Sequence, residues 1–151
     1  MSVAASDPAT AFDRLVRVET LLWTRLDERL RAEHGIPLSW YEPMRVVEEL
    51  GSARVRDIAD RLIITEGGAS KLVDRLQSVG HVERKPDPGD GRSHRIALTA
   101  SGEQVLAAAG ATVTDELHQR IGTVLGSGAL AQLDAALELL RVSNLGDPHT
   151  P

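Results

Sequence analysis

The sequence of 151 residues contains no cysteine. A chain without thiols can form neither a disulfide framework nor a thiol-based redox sensor, and its composition fits a reducing compartment. Apolar runs long enough to cross a bilayer are also missing, and the first ten residues lack the basic and apolar regions of a signal peptide. We therefore expect a cytoplasmic protein that has no membrane partner.

The residue patterns of common enzymes are missing as well. The chain has no nucleophile with an adjacent base, no H-E-x-x-H and no phosphate-binding glycine loop, so we predict that it is not an enzyme and needs no cofactor. One group of side chains could converge across a single turn to ligate a metal: His81, Asp87, Asp90 and His94. A flexible turn makes a poor metal cage, so we predict no metal site there.

Charge is unevenly distributed along the chain. The formal net charge is −5, which by itself argues against a nucleic-acid-binding protein. However, residues 52–99 contain nine Lys or Arg against seven Asp or Glu, whereas the remainder contains eight against fifteen. Basic charge is thus concentrated in one segment. An excess of two charges could also be an ordinary variation of a solvated surface.

The central segment from Thr65 to Gly80 predicts an amphipathic helix. Its apolar residues recur at spacings of three and four, which places them on one face: Ala69, Leu72, Val73, Leu76 and Val79. Small and polar residues occupy the other face and its flanks: Gly67, Gly68, Ser70, Lys71, Asp74, Arg75 and Ser78. Thr65 is suited to cap the beginning of the helix, and Gly80 to end it.

A second short helix is predicted directly upstream, over Val55 to Leu62. Only Ile63 and Ile64 separate the two helices, a spacing typical of a helix-turn-helix whose second helix presents its polar face to the major groove. Downstream, the patterns of 81–84 and 94–98 predict two strands around a turn rich in Pro, Gly and Asp. The expected fold class is therefore mainly α with a small β-hairpin, in the form of a winged helix-turn-helix.

This region resembles the MarR family of bacterial transcriptional regulators. The matching features are the L-V-D-R-L run at 72–76, the V-E-R strand after Gly80, and the Asp90-x-Arg92-Ser93 pattern in the turn. The resemblance implies a winged helix-turn-helix over residues 36–99, with dimerisation helices over 1–35 and 100–143. We expect residues 144–151 to form a flexible tail. It also implies a homodimer that binds a pseudo-palindromic operator in double-stranded DNA.

The flanking segments predict further helices. One runs from Pro8 to about His34 and ends at Gly35, and the next begins with a capping box formed by Ser39 and Glu42 and ends at Gly51. Thr99 caps a helix after the hairpin, and Ser127 begins the last one. The apolar residues of these outer helices exceed what one small module can cover, so they need a partner. In the family such helices interleave between two subunits, although they could instead pack on their own domain.

The resemblance also assigns DNA contacts by residue number. Ser70, Lys71 and Arg75 lie on the polar face of the central helix, where Arg and Lys bind guanine or phosphate. Arg92 resembles the family arginine that enters the minor groove, and Asp90 resembles its acidic brace. The full predicted set is Thr65, Gly67, Gly68, Ser70, Lys71, Arg75, Arg84, Lys85, Asp90, Arg92 and Arg95. Arg84, Lys85 and Arg95 are expected near phosphates, or else are plain strand-edge charges.

Glu66, Gly67 and Gly68 depart from the family pattern, which usually has basic and hydroxyl residues there. The two glycines permit a close approach of the backbone to phosphate, or they simply give up side-chain contacts that other members make. Glu66 would repel phosphate unless it accepts a hydrogen bond from a cytosine amino group. These residues bear on operator sequence and affinity.

Three aromatic residues suggest an effector site. Trp23, Trp40 and Tyr41 lie on helices that in the family enclose a cleft, often for aromatic or phenolic small molecules, although core packing is the ordinary role of Trp. The sequence thus predicts a homodimeric DNA-binding regulator, a repressor that a small effector releases. The alternative is a winged-helix module that binds a protein instead of DNA, which would account for Glu66, the glycine pair and the acidic total.

Overall fold

The computed structural model describes residues 6–146. In this range the chain forms helices and one antiparallel hairpin, in the order α1 (Pro8–His34), α2 (Leu38–Leu50), α3 (Val55–Leu62), α4 (Glu66–Ser78), β1 (Val82–Asp87), β2 (Asp90–Leu98), α5 (Ala100–Leu117), a π-helical turn (His118–Gly122) and α6 (Thr123–Asn144). None of the helices described has the length and apolar character needed to span a membrane. Residues 147–151 of the predicted tail, and residues 1–5 before α1, lie outside the described range.

Contacts divide the chain into two compact units, one ending at Val113 and the other beginning at Thr114. The core of the first unit consists of apolar side chains from α1 through α5, among which Leu30, Met44, Ile58, Val73, Leu76 and Ile96 are essentially inaccessible to solvent. The structure therefore confirms the predicted class, a helical protein with a small hairpin, and the helix-turn-helix is built on this core.

α1 has the predicted bounds but is only partly buried. Asp7 caps it by accepting a hydrogen bond from the Thr10 N–H (3.1 Å), and Gly35 ends it with a φ of 68°. Leu26 and Leu30 near its end are buried. The large apolar side chains of the preceding turns are exposed: Phe12, Leu15, Val16, Val18, Leu21 and Trp23.

The predicted capping box of α2 is wrong. The helix begins at Leu38, so Ser39 already lies inside it, and Pro37 precedes it without a side-chain cap. The free Leu38 N–H instead donates to Asp27 Oδ1 of α1 at 2.8 Å. A tertiary hydrogen bond thus replaces the local cap, because a carboxylate from the neighbouring helix can satisfy an unpaired N–H as well as a nearby serine can. Gly51 ends α2 as expected, at a φ of 75°.

The helix-turn-helix follows the sequence pattern closely. Between α3 and α4, Ile63 adopts a left-handed conformation with a φ of 56°. Thr65 caps α4 by accepting from the Gly68 N–H at 3.0 Å. At the other end, the Gly80 N–H donates to Gln77 O (3.0 Å) and the His81 N–H to Leu76 O (2.9 Å). This is the Schellman pattern that a left-handed glycine permits, and it turns the chain from α4 into the hairpin.

The hairpin is longer than predicted, because β1 extends to Asp87 and β2 begins at Asp90. The register pairs Val82 with Leu98, and it shifts between Pro86 and Asp87. A further connection was not predicted: Ala53, just before α3, pairs with Ile96 through two backbone hydrogen bonds of 3.0 and 2.6 Å. The beginning of the helix-turn-helix is therefore tied to β2.

α5 begins at a crowded junction with the hairpin. Thr99 caps the helix as predicted, since its Oγ1 accepts from the Gly102 N–H (3.0 Å) while it donates to Gly80 O (2.5 Å). Gly102 is buried against the backbone of His81, and a Cβ on residue 102 would lie 2.0 Å from His81 O. Only glycine fits there without displacing the main chain.

In the second unit the helix continues through the π-helical turn into α6, with no loop between them. A break at Gly126, whose angles (φ 72°, ψ 169°) are non-helical, divides α6 into two helical segments. The second segment begins at Ser127, as predicted. Beyond the break every residue through 146 is exposed. Among them are the apolar residues predicted for this helix: Leu130, Leu133, Leu137 and Leu140.

The Gly102 contact gives a stability prediction. Gly102→Ala should lower the free energy of unfolding by about 1–3 kcal/mol, the usual cost of overpacking, because the added carbon meets a main-chain oxygen. Gly110→Ala in the same helix is the matched control, since its Cβ would lie at an ordinary 3.7 Å from the Tyr41 hydroxyl. The control should be neutral or slightly stabilising. Urea unfolding in which the two variants are equally stable would contradict the steric argument.

Candidate nucleic-acid interface

The polar face of α4 is open to solvent. Ala69, Val73 and Leu76 are buried, which turns Lys71 and Arg75 outward, and both are exposed. Neither side chain forms an ion pair with any residue of the described range. Ser70 is half-buried beside them. Two free cations on the exposed side of the second helix of a helix-turn-helix can contact guanine edges or phosphates.

The beginning of α4 is nearly bare. Gly67 is exposed and a Cβ there would meet nothing within 4 Å, whereas a Cβ on Gly68 would lie 3.1 Å from Thr65 Oγ1. Neither glycine has a left-handed φ, so no backbone conformation requires glycine at position 67. Glu66 precedes them, exposed and without an ion pair in the part of the chain described. Any partner that approaches this end of α4 can come close to the main chain.

Arg92 lies near the turn of the hairpin and is exposed. Asp90 Oδ1 accepts a hydrogen bond from the Arg92 backbone N–H at 3.0 Å. Asp90 therefore contacts the Arg92 main chain and leaves the guanidinium without an ion pair among residues 6–146. The loop is held while the charge stays available for an anion.

Three other predicted cations are paired within the chain. The Arg84 guanidinium binds Asp74 (2.6 Å) and the Gln77 side-chain oxygen, both of α4. Lys85 Nζ lies 3.0 Å from a Glu83 oxygen. Arg95 donates to the Ser52 carbonyl at 3.3 Å and lies 3.7 Å from Asp87. Arg84 and Arg95 thus fasten the hairpin to the helix-turn-helix, a role that the sequence did not reveal.

Asp87 anchors the hairpin to the helix-turn-helix, although the sequence suggested for it only a possible metal-ligand role. Its side chain is 4% exposed and accepts two hydrogen bonds from Arg54, at 2.7 and 2.9 Å, at the start of α3. It also accepts from the Gly89 N–H at 2.9 Å. The Gly89 hydrogen bond, together with Arg54, holds the Asp87 pKa below its ordinary value. The Asp-Pro-Gly sequence could have indicated the turn, but nothing local indicates Arg54.

A cleft with a volume of about 480 Å³ separates α4 from the hairpin. Glu66 and Ser70 line it on the helix side, and Arg92 lines it on the hairpin side. The beginning of α3 contributes Arg56, which sequence analysis did not select. Of the predicted contacts, Ser70, Arg84, Asp90 and Arg92 meet in this cleft. Lys71 and Arg75 are not among the residues that line it.

Asp87 was one of four side chains considered, and rejected, as metal ligands, and the structure gives it another partner. Across residues 6–146 no three His, Asp or Glu side chains are grouped closely enough to hold a metal ion. Asp87 is committed to Arg54, and the ring of His81 lies beside Ser101 with 3.5 Å between His81 Nδ1 and Ser101 Oγ. The carboxylate therefore has a structural partner in place of a cation.

The three predicted effector residues differ in their surroundings. Trp23 is 43% exposed and lines a shallow concavity together with Glu19, Thr20 and Thr24. Trp40 is half-buried, and Tyr41 is buried in the core. Burial raises the Tyr41 pKa above its ordinary value. Neither Trp40 nor Tyr41 lines the concavity at Trp23, so the structure does not bring the three side chains together there.

Comparison with known proteins adds independent findings. A sequence model described as MarR family matches residues 34–93. The transcriptional regulator HosA of Escherichia coli O111:H- is 30% identical over 97 residues, covering 60% of this chain and 72% of HosA. The transcriptional repressor IacR of Pseudomonas putida is 26% identical over 118 residues, covering 78% of this chain and 70% of IacR. Another relative, an uncharacterized regulator from Bacillus subtilis, is matched over only 48% of its length.

A solved structure shares the fold. The MarR family regulator Sco3205 of Streptomyces coelicolor, determined in complex with DNA, superimposes with a TM-score of 0.84 at 24% identity. The match covers 91% of this chain and 87% of that chain. At this level of identity the likeness establishes the winged-helix fold, to which the helix-turn-helix and the hairpin described above correspond.

The Asp87 anchor gives a pH prediction. A carboxylate whose pKa is lowered by folding stabilises the protein above its unfolded-state pKa, about 3.9, and this contribution is lost as pH falls through the lower folded-state value. Asp87→Asn should therefore unfold more easily at neutral pH, and its unfolding should depend less on pH below about 4 than that of the wild type. Urea unfolding from pH 7 to pH 2 measures both effects. Parallel pH curves for the two proteins would contradict the anchoring role.

Proposed function

This chain belongs to the MarR family of transcriptional regulators, and on that premise we propose that it binds operator DNA as a homodimer. The observation that carries the proposal is the pair of unpaired cations on α4, Lys71 and Arg75, beside a hairpin whose Arg92 is also unpaired in the described range. α4 would enter the major groove, and the hairpin would reach the adjacent minor groove.

The predicted contacts have different parts in this proposal. Lys71 and Arg75 would contact bases or phosphates, with Ser70 beside them, and Thr65, Gly67 and Gly68 would bring the main chain close to the DNA. Arg92 would sense the narrow minor groove of A·T-rich DNA. Arg84 and Arg95 already have partners, so we assign them to positioning the hairpin. Asp90 would act through the Arg92 main chain, and Lys85 would contact phosphate only by leaving Glu83.

Dimerisation is supported by unpartnered apolar surface in each of the two units. α1 exposes Phe12, Leu15 and Leu21 in its first five turns, and α6 exposes a row of leucines. Exposed apolar rows of this length mark interaction surfaces in soluble proteins. A second copy of the chain is the simplest partner that could cover them, because a two-fold dimer would also present two copies of α4 to a pseudo-palindromic operator.

We further propose that the protein is a repressor and that a small aromatic or phenolic effector releases it. The exposed Trp23 beside a concavity supports an effector site near α1, whereas the burial of Tyr41 assigns that residue to the core. Such a ligand must bind the DNA-free protein more tightly than the DNA-bound protein. Titration with aromatic carboxylates, followed by tryptophan fluorescence and by operator affinity, tests this part. Binding that leaves operator affinity unchanged would reject it.

A protein-binding module is the second candidate function. The exposed Glu66, the bare Gly67 and the acidic total favour it, because these features weaken attraction to phosphate. Selection of bound sites from a random duplex pool, followed by affinity measurements at several salt concentrations, separates the two functions. A DNA-binding protein loses affinity steeply with salt, whereas a protein adaptor binds no duplex appreciably.

The proposed DNA contacts predict different effects for substitutions in α4 and in the hairpin. Lys71→Ala or Arg75→Ala should weaken binding to the selected duplex by about 1–3 kcal/mol if the residue reads a base, and should relax the preference at that base pair. Arg92→Ala should instead weaken binding most on A·T-rich flanks and reduce the salt slope by about one ion per subunit. Anisotropy titrations measure all three variants.

Arg45→Ala is the control for that experiment. Arg45 is an exposed cation of α2 that pairs with Glu42 at 3.2 Å, and it does not line the cleft. Its removal changes the net charge equally but should leave base preference unchanged. If Arg92→Ala matches this control in affinity, flank preference and salt slope, the hairpin does not contact DNA.

The apolar rows give a prediction about assembly. Sedimentation at micromolar concentration should show two chains, and the double substitution of Leu133 and Leu137 by Gln should shift the protein toward monomer. Each buried Leu contributes roughly 1.5–3 kcal/mol, so two polar replacements should weaken association strongly. Gln132→Ala, also exposed on α6, is the control and should leave the dimer intact. A folded wild-type monomer at this concentration would contradict the dimer.

A further inference from the structure

The cleft between α4 and the hairpin collects charged side chains from four segments of the chain. Arg54 and Arg56 come from the beginning of α3, Glu66 from α4, and Arg84 from β1. β2 contributes Asp90 and Arg92. The cleft therefore lies between the helix-turn-helix and the hairpin. Four of its six charged residues are arginines.

The four arginines of the cleft differ in whether they form an ion pair within the chain. Arg54 is held by Asp87 at 2.7 Å and Arg84 by Asp74 at 2.6 Å, so both are neutralised inside the chain. Arg56 and Arg92 have no ion-pair partner in the range that the structure describes, and Arg56 is exposed. The carboxylates of Glu66 and Asp90 line the same cleft. Without Arg56, the unneutralised charge of the cleft would therefore be negative.

The proposed binding mode would bring a DNA strand through this cleft. If α4 occupies a major groove and the hairpin reaches the neighbouring minor groove, one phosphodiester backbone must run between the two elements, because a backbone separates adjacent grooves. The first helix of a helix-turn-helix crosses that backbone, and Arg56 stands at the beginning of α3, the corresponding helix. A phosphate in this cleft would have the unpaired guanidinium groups of Arg56 and Arg92 available to it, because both residues line the cleft.

We propose that the cleft between α4 and the hairpin receives a backbone phosphate of the bound duplex, and that Arg56 makes the cleft attractive to it. The inference rests on the proposed function, because it requires α4 and the hairpin to engage one duplex. It adds a contact that the sequence did not indicate and that reads no base. The proposal also assigns an effect to Glu66: its carboxylate would repel the same phosphate and lower the affinity for DNA of any sequence.

The test compares Arg56→Ala with Arg61→Ala, a matched control in the same helix. Arg61 pairs with Glu49 at 3.1 Å and does not line the cleft. On the duplex selected by the wild type, Arg56→Ala should weaken binding at least about tenfold, the effect of losing one charge-assisted hydrogen bond. The same factor should apply to an unrelated duplex, and the salt slope should fall by about one ion per subunit. Arg61→Ala should change neither quantity appreciably.

Two more variants test whether the charge in the cleft causes the loss of affinity and of salt slope. Arg56→Lys keeps the charge and should retain most of the salt slope, whereas Glu66→Gln in the Arg56→Ala background should restore part of the lost affinity. Arg56→Ala that behaves like Arg61→Ala would overturn the proposal, and so would a change in preference at a single base pair. If the wild type itself binds no duplex, the proposed function fails. If the wild type binds and only the Arg56 series shows no effect, the phosphate site alone is rejected.

Discussion

The buried carboxylate of Asp87 holds the hairpin in place beside the helix-turn-helix and so fixes the geometry of the candidate DNA-binding surface. It binds Arg54 at the start of α3 and the Gly89 N–H in the turn, and it lies 3.7 Å from Arg95 of β2. A hairpin of two strands is marginally stable alone, so its position depends on such attachments to the helices. The backbone pairing of Ala53 with Ile96 and the contacts of Arg84 with α4 act in the same direction. Together they give Arg92 a defined place relative to α4.

Local features of the fold could be predicted from the sequence, and tertiary ones could not. The spacing of apolar residues gave the bounds of α1 and α3, and residue chemistry gave the Thr65 and Thr99 caps and the glycine stops. Each of these depends on residues within one helical turn. The Asp27 cap of α2 depends on a residue eleven positions away, and Arg54 is 33 positions from Asp87. No local pattern specifies such partners, so Ser39 was a reasonable but wrong candidate.

The same limit applies to the candidate site. The sequence could place Lys71, Arg75 and Arg92 on exposed polar positions, but it could not show which cations were already paired. Of the nine Lys and Arg residues between 52 and 99, five form ion pairs within the described chain. Pairing depends on which elements become neighbours, and it removes Arg54, Arg84 and Arg95 from the charge that is immediately available. It also explains why Arg56, which belongs to no recognised motif, is of interest: its charge is unused.

The number of unpaired cations sets the electrostatic part of the proposed DNA binding. Arg56, Lys71, Arg75 and Arg92 are the cations of the helix-turn-helix and hairpin that remain unpaired among the described residues. Each neutralised phosphate contributes about −0.9 to the salt slope, so four per subunit correspond to roughly −7 for a dimer, before the opposing effect of Glu66. A slope of this size would make the nonspecific attraction to duplex DNA weaken steeply as the salt concentration rises. If the chain binds an operator as the proposed dimer, preference for that operator would depend on base contacts and on two subunits binding together, which would link the apolar rows of α1 and α6 to the recognition of DNA sequence.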